Sequence, residues 1–348
     1  MRKGSTASST ICRSGRRDIL VLAPNWLGDA VMATPFLQSL RIAYPAAFID
    51  VVCREYISEI FKRNSSVDRL HAYDGGKGLR ALNAAVARNR PGNGWHMCFV
   101  LPPSFKAALA ALLSGSKKRI GYGGELRGPL LSDRLPSAMY RIGHLSEAYV
   151  RLIGLSGVEG TIETPRPVVV PPYDWERIVA DMGIDGEYMV IAPGATYGSA
   201  KVWPGKNYSS LAAEIAGITG WRLVLVGSEA ERDRASDVLE SSGVEGVNLA
   251  GGCDISGLAA VLRGASLVIG NDSGPVHIAS AMGRATVTLF GSTSPAWTAP
   301  RGSSVRIVSS DMDCAPCFER ECPKGHAECL EAIGVGEVLE AALEISGR

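Results

Sequence analysis

Short apolar runs that alternate with helical patterns constrain the fold of this 348-residue chain more than any other feature. In the first half, segments 17–23, 48–53 and 96–101 are typical of buried strands, and helical patterns follow at 29–41 and 104–113. In the second half the alternation begins again, with apolar strands predicted at 188–192, 222–226, 267–269 and 286–289. The pattern predicts an α/β protein with two units, each built on a parallel sheet.

A proline-rich stretch separates the two halves. Segment 163–172 contains four prolines and cannot form a long helix. We predict a flexible tail, a first domain, a linker, a second domain and a C-terminal helix that packs back on the first domain, at 1–17, 18–164, 165–172, 173–330 and 331–348. Two such domains are expected to face each other across a cleft, with ligands bound at the carboxyl ends of the strands.

Composition narrows the class of protein. Apolar residues make up 46% of the chain and charged residues 20%, as expected for a folded enzyme, and the formal net charge is +1. Such a balance argues against a nucleic-acid binder that works mainly by neutralising phosphates. No apolar stretch approaches the roughly 18 residues of a membrane span, and the first residues lack the apolar run of a secretory signal. We therefore expect a cytoplasmic protein whose contact with a membrane, if any, is peripheral.

The stretch V-I-G-N-D-S-G-P-V-H-I-A-S-A-M-G at 268–283 predicts a strand, a polar turn and a helix. Ser273 suits the helix N-cap and Pro275 the first helical turn. Unpaired helix amides would then point outward beside Asp272 and His277, which favours binding of a diphosphate. A structural role in the core is the alternative for His277.

Two further loops of the second half follow predicted strands. In P-G-A-T-Y-G-S-A-K-V-W-P at 193–204, Thr196 offers a hydroxyl and Lys201 a positive charge that suits phosphate. A solvated loop with a surface lysine is the alternative. In the loop at 226–229, Glu229 could accept hydrogen bonds from ribose hydroxyls, although an acidic residue is also common at a helix start.

In the first half, N-W-L-G-D at 25–29 follows the opening strand. Gly28 permits a tight turn, and Asp29 would project a carboxylate toward the cleft. Two interpretations of Asp29 stay open: a helix N-cap, or a general base that accepts a proton from an attacking hydroxyl. The G-x-G-x-x-G spacing of a dinucleotide site is absent.

Four of the eight cysteines cluster near the C-terminus as C-x2-C-x4-C-x6-C, and His326 lies among them. Four soft ligands could close a structural zinc site, which would use Cys314, Cys317, Cys322 and Cys329. Loose reduced thiols or a disulfide are the alternatives.

Six runs, taken in order along the chain, resemble the ADP-heptose:lipopolysaccharide heptosyltransferases. They are N-W-L-G-D-A-V-M at 25–32, S-F-K-A-A-L at 104–109, R-I-G-Y-G-G-E-L-R at 119–127, P-G-A-T-Y-G-S-A-K-V-W-P at 193–204, N-D-S-G-P-V-H at 271–277 and L-F-G-S-T-S-P at 289–295. The resemblance implies the GT-B architecture, with two Rossmann-like domains facing across a cleft. It also implies inverting transfer of heptose from ADP-heptose to the inner core of lipopolysaccharide, with no cofactor required for catalysis.

Within that family the motifs look more like the second heptosyltransferase, whose acceptor is heptosyl-Kdo2-lipid A. Three alternatives stay open: the first heptosyltransferase, which acts on Kdo2-lipid A, a sugar-nucleotide epimerase of the same architecture, and a non-enzymatic interaction module on a transferase scaffold. The spacing of Asp311 and Asp313 matches the D-x-D of metal-dependent glycosyltransferases, but the pair follows the last strand, and we predict a surface turn there.

The resemblance also implies roles for individual residues. Asp29 falls on the catalytic base, and Lys201 together with the helix amides after Ser273 would stabilise charge on the departing diphosphate. Donor-binding positions are Thr196, Tyr197, Lys201, Glu229, Asp272, Ser273, Gly274 and His277. The acceptor is anionic and lipid-anchored, so its candidate partners in the first domain are Asn25, Trp26, Lys106, Arg119 and Arg127. A solvated basic face is the alternative for the cationic ones.

Overall fold

The first unit of the fold is a parallel six-stranded sheet flanked by helices. A computed structural model describes residues 17–325 and 327–348, so the predicted tail lies outside the described residues except for Arg17. The strand order is β3-β2-β1-β4-β5-β6. The strands are β1 (Asp18–Leu22), β2 (Phe48–Arg54), β3 (Arg69–Tyr73), β4 (Met97–Val100), β5 (Lys118–Tyr122) and β6 (Asp133–Leu135).

Helices connect these strands and cover both faces of the sheet. They are α1 (Leu27–Met32), α2 (Thr34–Ala43), α3 (Glu59–Lys62), α4 (Gly78–Arg88), α5 (Phe105–Leu113) and α6 (Leu145–Arg151). The single helix predicted at 29–41 is divided in two at Ala33. Pro35 has no amide hydrogen to continue the helical ladder, so it lies in the first turn of a new helix instead.

The second unit repeats the same architecture, with strand order β12-β11-β10-β7-β8-β9. Its strands are β7 (Tyr188–Ala192), β8 (Arg222–Leu225), β9 (Gly246–Asn248), β10 (Leu267–Asn271), β11 (Thr286–Phe290) and β12 (Val305–Ser309). Its helices are α7 (Trp175–Asp181), α8 (Gly205–Thr219), α9 (Arg232–Ser242), α10 (Ile255–Gly264), α11 (Gly274–Ala281), α12 (Pro295–Thr298), α13 (Glu328–Glu331) and α14 (Val335–Ser346).

The central strands of both sheets are apolar on both faces. β7 and β10 are buried along their whole length, and only the first residue of β1 is partly exposed. Helices on both sides of a parallel sheet exclude water from both faces, which is why these strands appear in the sequence as continuous apolar runs. Polar side chains therefore collect at the strand ends, where the chain turns into a loop or helix.

The proline-rich linker runs along α2 of the first unit. The Val168 amide donates to Thr34 Oγ1 at 3.0 Å, and Ser39 Oγ donates to the Glu163 carbonyl at 2.8 Å. Proline has no amide hydrogen, so an extended segment with four prolines cannot form the regular hydrogen bonds of a strand. Side chains of α2 bind its backbone instead.

The C-terminal helix packs on the second unit, so the prediction that it returns to the first domain is wrong. α14 contacts α8 and β12, and Val338 and Ala342 are buried in the core beneath the second sheet. Glu344 on its outer face pairs with Arg306 of β12. The apolar face of α14 is buried against the nearest uncovered face of a sheet, and that sheet belongs to the second unit.

The two units meet at the carboxyl ends of their central strands. α1 follows β1, α11 follows β10, and these two helices contact each other. Nearby, the rings of Tyr140 and Trp297 meet edge to face at 5.1 Å, and the imidazole Nε2 of His144 lies 2.9 Å from the Ala299 carbonyl. The polar loops after β1, β7 and β10 are thereby brought to one place. Across 17–325 and 327–348, no helix is long and apolar enough to cross a membrane.

Candidate active site

Asp272, directly after β10, is the centre of a buried polar network. Its Oδ2 accepts hydrogen bonds from Lys201 Nζ at 2.6 Å, Thr293 Oγ1 at 2.8 Å and Thr298 Oγ1 at 3.1 Å. Its Oδ1 lies 3.2 Å from His277 Nε2. The network joins three loops of the second unit, so Lys201 is held inside the site and does not lie free on the surface.

The surroundings of Asp272 keep its carboxyl ionised. Burial by itself raises the pKa of Asp272, but the hydrogen bond from His277 and the charge of Lys201 outweigh it and hold that pKa well below its usual range. Lys201 has three N–H donors, and Asp272 takes two of them through its carboxylate and its main-chain carbonyl. One donor is left for a ligand.

Asn271, the last residue of β10, fixes the Lys201 loop to the strand. Its side-chain oxygen accepts from the Trp203 amide and from the Tyr208 hydroxyl, both at 3.0 Å. Its amide nitrogen donates to the carbonyls of Pro193 at 3.2 Å and Gly194 at 3.1 Å. An asparagine can donate and accept at once, so this one buried side chain sets the positions of both ends of the loop.

Asp29 lies in the first turn of α1, partly buried. The N-cap position belongs to Trp26, so the interpretation of Asp29 as a helix cap is wrong. Burial raises the pKa of Asp29 to about 6; electrostatic interaction with His277 opposes the shift, Asp272 adds to it and Lys201 opposes it. A carboxylate with a pKa near neutrality, within electrostatic reach of the Asp272 network, suits a general base.

Two glycines allow the amino ends of α1 and α11 to meet. A Cβ on Gly28 would lie 2.9 Å from the ring carbon Cδ2 of His277, and a Cβ on Gly274 would lie 2.5 Å from Leu27 Cδ2. Real side chains do not tolerate such distances, so a larger residue at either position would force a shift of the facing side chain or of the helix that carries it. The close approach is what brings Asp29 of the first unit to the Asp272 network of the second.

The amino end of α11 offers unpaired hydrogen-bonding groups. Ser273 is the N-cap residue, as predicted, but its hydroxyl makes no capping bond and is buried without a partner among the described residues. Pro275 occupies the first turn. The first amides of a helix have no partner within the helix, and beside the unpaired Ser273 hydroxyl they form a binding site for an anion such as a phosphate.

The remaining predicted donor residues of the second unit are spread more widely. Thr196 is exposed in the loop after β7, and the Tyr197 hydroxyl donates to the Phe318 carbonyl at 2.9 Å. The Glu229 carboxylate is exposed and pairs with Arg232 at 2.9 Å, so its position fits the helix-start alternative and leaves the ribose contact a prediction.

The predicted acceptor residues divide into two groups. Lys106 is exposed in the first turn of α5, Trp26 is 43% exposed, and Asn25 is half-buried with its carbonyl accepting a hydrogen bond from the Tyr56 hydroxyl. These three follow β1 or β4 at the edge of the sheet that carries Asp29. They stay predictions for acceptor contact.

The structure does not support acceptor binding by the two arginines. Arg119 pairs with Cys98 in the amino-terminal half of the strands and not at the edge that carries Asp29, and its guanidinium donates to the carbonyls of Leu130 at 2.9 Å and Ser116 at 3.1 Å. Arg127 is buried and donates to the carbonyls of Tyr122 and Gly123, both at 2.8 Å. Each arginine holds a loop of its own unit.

Thr293 and Thr298 were not among the predicted site residues, yet both hydroxyls bind the Asp272 carboxylate. Both lie just after β11, which pairs with β10. The sequence contains a pattern that predicts them. The carboxyl ends of adjacent parallel strands share one edge, and G-S-T-S-P directly follows β11.

The four C-terminal cysteines line one cavity of about 30 Å³ together with Ser292 and Ala200. No disulfide joins cysteines within 17–325 and 327–348, so the disulfide alternative is wrong for that part of the chain. Among those residues, no group of three or more histidine, cysteine, aspartate or glutamate side chains is arranged to hold a metal ion. The arrangement therefore does not support the predicted structural zinc site; His326 lies outside the described residues.

Comparisons with known proteins agree with this geometry. The sequence model of glycosyltransferase family 9 (heptosyltransferase) matches residues 85–328. Lipopolysaccharide heptosyltransferase 2 of Salmonella typhimurium is 29% identical over 340 residues, covering 92% of this chain and 96% of that protein.

Two solved structures share the fold. The structure of E. coli ADP-heptose lps heptosyltransferase II has a TM-score of 0.80 at 25% identity and covers 94% of this chain and 98% of its own. A family 9 glycosyltransferase from Veillonella parvula has a TM-score of 0.81 at 20% identity, covering 95% and 97%. These matches confirm the predicted GT-B fold and favour a glycosyltransferase over the epimerase and over the non-enzymatic module. The chain belongs to glycosyltransferase family 9, the heptosyltransferases.

Proposed function

We propose that this enzyme transfers heptose from ADP-heptose to the inner core of lipopolysaccharide, with heptosyl-Kdo2-lipid A as the acceptor. One observation carries the proposal: Asp29, with a pKa raised to about 6, faces the Asp272 network and the amino end of α11 across the junction of the two units. The similarity to proteins named lipopolysaccharide heptosyltransferase 2 supports the choice of donor and acceptor.

The donor half of the site lies in the second unit. The diphosphate would take hydrogen bonds from the α11 amides, the Ser273 hydroxyl and the remaining Lys201 N–H. His277, Thr293 and Thr298 hold the Asp272 carboxylate in place through their contacts with it, and His277 also lowers its pKa. The fixed dipole of the helix and the lysine charge would then stabilise the negative charge that grows on departing ADP.

The transfer itself is a single displacement. The Asp29 carboxylate accepts the proton of the acceptor hydroxyl, and the hydroxyl oxygen forms a bond to the anomeric carbon of the heptose. The bond between that carbon and the ADP oxygen breaks on the opposite face, and ADP leaves with the electron pair. The configuration at the anomeric carbon is inverted, and Asp29 later loses its proton to solvent. Every group in this step belongs to the chain or its two substrates.

The acceptor half of the site lies in the first unit. Trp26 and Lys106 are exposed at the same sheet edge as Asp29; the Lys106 ammonium suits an anionic group of the acceptor, and the Trp26 ring offers an apolar face to a sugar. The acceptor is anchored in a lipid layer, so the proposal places the enzyme in the cytoplasm, with peripheral contact to the cytoplasmic face of the inner membrane during transfer.

The test measures ADP release from ADP-heptose by wild type, Asp29→Asn and Asp313→Asn, with either acceptor. Asp313 is exposed and serves as a matched control that also tests the D-x-D spacing. We expect release only with heptosyl-Kdo2-lipid A, a loss of about 10²- to 10⁴-fold in Asp29→Asn, and no loss in Asp313→Asn. ADP release without any acceptor would overturn the proposal, and so would the absence of release with both acceptors. Release with Kdo2-lipid A alone would reassign the enzyme to the first heptosyltransferase.

We keep the structural zinc site as a separate proposal, independent of the transfer step. It rests on the spacing of the four cysteines in the sequence, since their thiols line one cavity but are not arranged as a metal site in the described residues. Metal analysis of protein purified without chelators tests it, with Cys322→Ser as the comparison. About one zinc per chain in wild type, lost in the variant, would support the site, and metal-free wild type would refute it.

A further inference from the structure

We propose that Arg320 is a further donor-binding residue, whose guanidinium binds the diphosphate of the donor next to Lys201. This inference rests on the proposed function and extends it to a residue outside the family motifs quoted above. It comes from three features of segment 318–324, which lies against the Lys201 loop.

The first feature is the environment of Tyr197. Its hydroxyl donates to the Phe318 carbonyl, so the side chain is anchored and its ring forms a fixed platform. Lys201 Nζ lies 5.0 Å from the centre of that ring, and Arg320 Cζ lies 5.2 Å from the same centre. Two cations gathered on one aromatic ring are stabilised by it, but they repel each other unless an anion is present.

The second feature is the fixed backbone of the segment. The Arg320 carbonyl accepts from the Ala200 amide at 3.0 Å, and a Cβ on Gly198 would lie 2.1 Å from that carbonyl oxygen. The Phe318 amide donates to the Ser292 carbonyl at 2.7 Å. Arg320 is therefore attached to the Lys201 loop itself, and Gly198 is required for that close approach.

The segment also reaches the first unit. The guanidinium of Arg141 lies 4.7 Å from the centre of the Phe318 ring. Because Arg141 follows β6 of the first sheet, the segment that carries Arg320 borders the cleft between the two units. A ligand bound between the units would pass close to it.

The third feature is the balance of charge. Lys201 is paired with the buried Asp272 carboxylate, so its positive charge acts on a diphosphate with reduced strength. Arg320 is exposed, and no carboxylate within the described part of the chain forms an ion pair with it. A guanidinium presents parallel N–H donors that match two phosphate oxygens, and here it would add an unpaired positive charge to that of Lys201.

The experiment compares the affinities of adenosine, AMP and ADP for wild type, Arg320→Gln, Arg320→Lys and Lys324→Gln by isothermal titration calorimetry. Lys324 is exposed in the same segment, so its variant removes one positive charge without touching the Tyr197 platform. We expect Arg320→Gln to weaken ADP binding by about tenfold or more and to leave adenosine binding unchanged. Arg320→Lys should recover part of the loss, and Lys324→Gln should match wild type.

Several outcomes would overturn the assignment. ADP binding by Arg320→Gln that equals wild type would do so, as would equal losses for ADP and adenosine, which would indicate that the residue only supports the loop. Equal weakening in Lys324→Gln would show a general effect of charge. The result is separable from the proposed function, because a wild type that transfers heptose while Arg320→Gln binds ADP normally loses only this inference, whereas a wild type that binds no ADP loses both.

Discussion

Lys201 and Asp272 form a buried ion pair, with 2.6 Å between the lysine Nζ and the Asp272 Oδ2, that joins the loop after β7 to the end of β10. The pair connects the two central strands of the second sheet at the point where the direction of strand order reverses. Such a point is where parallel α/β sheets open a crevice for ligands. The ion pair therefore joins the two strands that border the crevice. It also places one positive and one negative side chain inside the site.

The Lys201–Asp272 pair should be costly to break from one side. Asp272→Ala leaves a buried ammonium without its carboxylate, and we expect the free energy of unfolding to fall by about 3–5 kcal/mol. Chemical denaturation measures the change. Glu229→Gln, which breaks the exposed pair with Arg232, is the matched control and should leave the free energy of unfolding nearly unchanged. If both variants lost the same free energy of unfolding, burial would not be the reason that the Lys201–Asp272 pair is costly to break.

The pH dependence of transfer should report the carboxyl of Asp29. Only its ionised form can accept a proton, and its pKa is raised to about 6, so kcat/KM should rise as the pH passes through about 6. A profile from pH 5 to 8 in wild type tests this, with Asp313→Asn expected to show the same curve. A profile that is already flat at pH 5 would argue against Asp29 as the base.

Asp29 should also lower stability at the pH where the enzyme works. Its folded pKa of about 6 lies above the ordinary 3.8, so the stability contributed by its protonated form is fully present below about pH 4 and is lost as the pH rises through 6. At pH 8, Asp29→Asn should therefore unfold with a free energy up to about 3 kcal/mol higher than wild type. Urea denaturation at pH 4.5 and pH 8 checks the trend, and a difference that grows toward low pH would have the wrong sign.

Gly28 should be required for the approach of the two units. In Gly28→Ala the new Cβ would lie 2.9 Å from the His277 ring, so the ring or α1 must shift and the placement of Asp29 against the Asp272 network must change. We expect kcat/KM to fall at least about tenfold, since small displacements of reacting groups are expensive. ADP affinity should stay close to wild type, because the groups proposed to bind ADP belong to the second unit.

Gly217→Ala is the control for that variant. Gly217 lies within α8, where a Cβ would meet nothing within 4 Å. Alanine there should leave activity unchanged and stabilise the helix by about 0.5–1 kcal/mol. If Gly28→Ala retained full activity, the contact between the two helices would have no part in catalysis.

Most of the strands could be predicted from the sequence, because both faces of a parallel sheet are buried and the apolar runs are continuous. The site residues that follow strands, such as Asp29, Lys201 and Asp272, could be placed at the cleft for the same reason, since the carboxyl ends of parallel strands share one edge. Arg119 and Arg127 were misjudged because their charge suggested an anionic ligand, while in the fold their guanidinium groups bind main-chain carbonyls. Which sheet α14 packs against also depended on which sheet face the other helices leave uncovered.

The sequence by itself determined the α/β alternation, the strands with continuous apolar runs and the chemistry of the loops that follow them, because local apolar patterns and turn residues act over short distances. Tertiary structure alone decided how those loops combine. The approach of Gly28 to His277, the raised pKa of Asp29 and the pairing of Lys201 with Asp272 each depend on residues far apart in the chain. Burial and charge at such a site are properties of everything packed around it, so they exist only once the two units have folded and met.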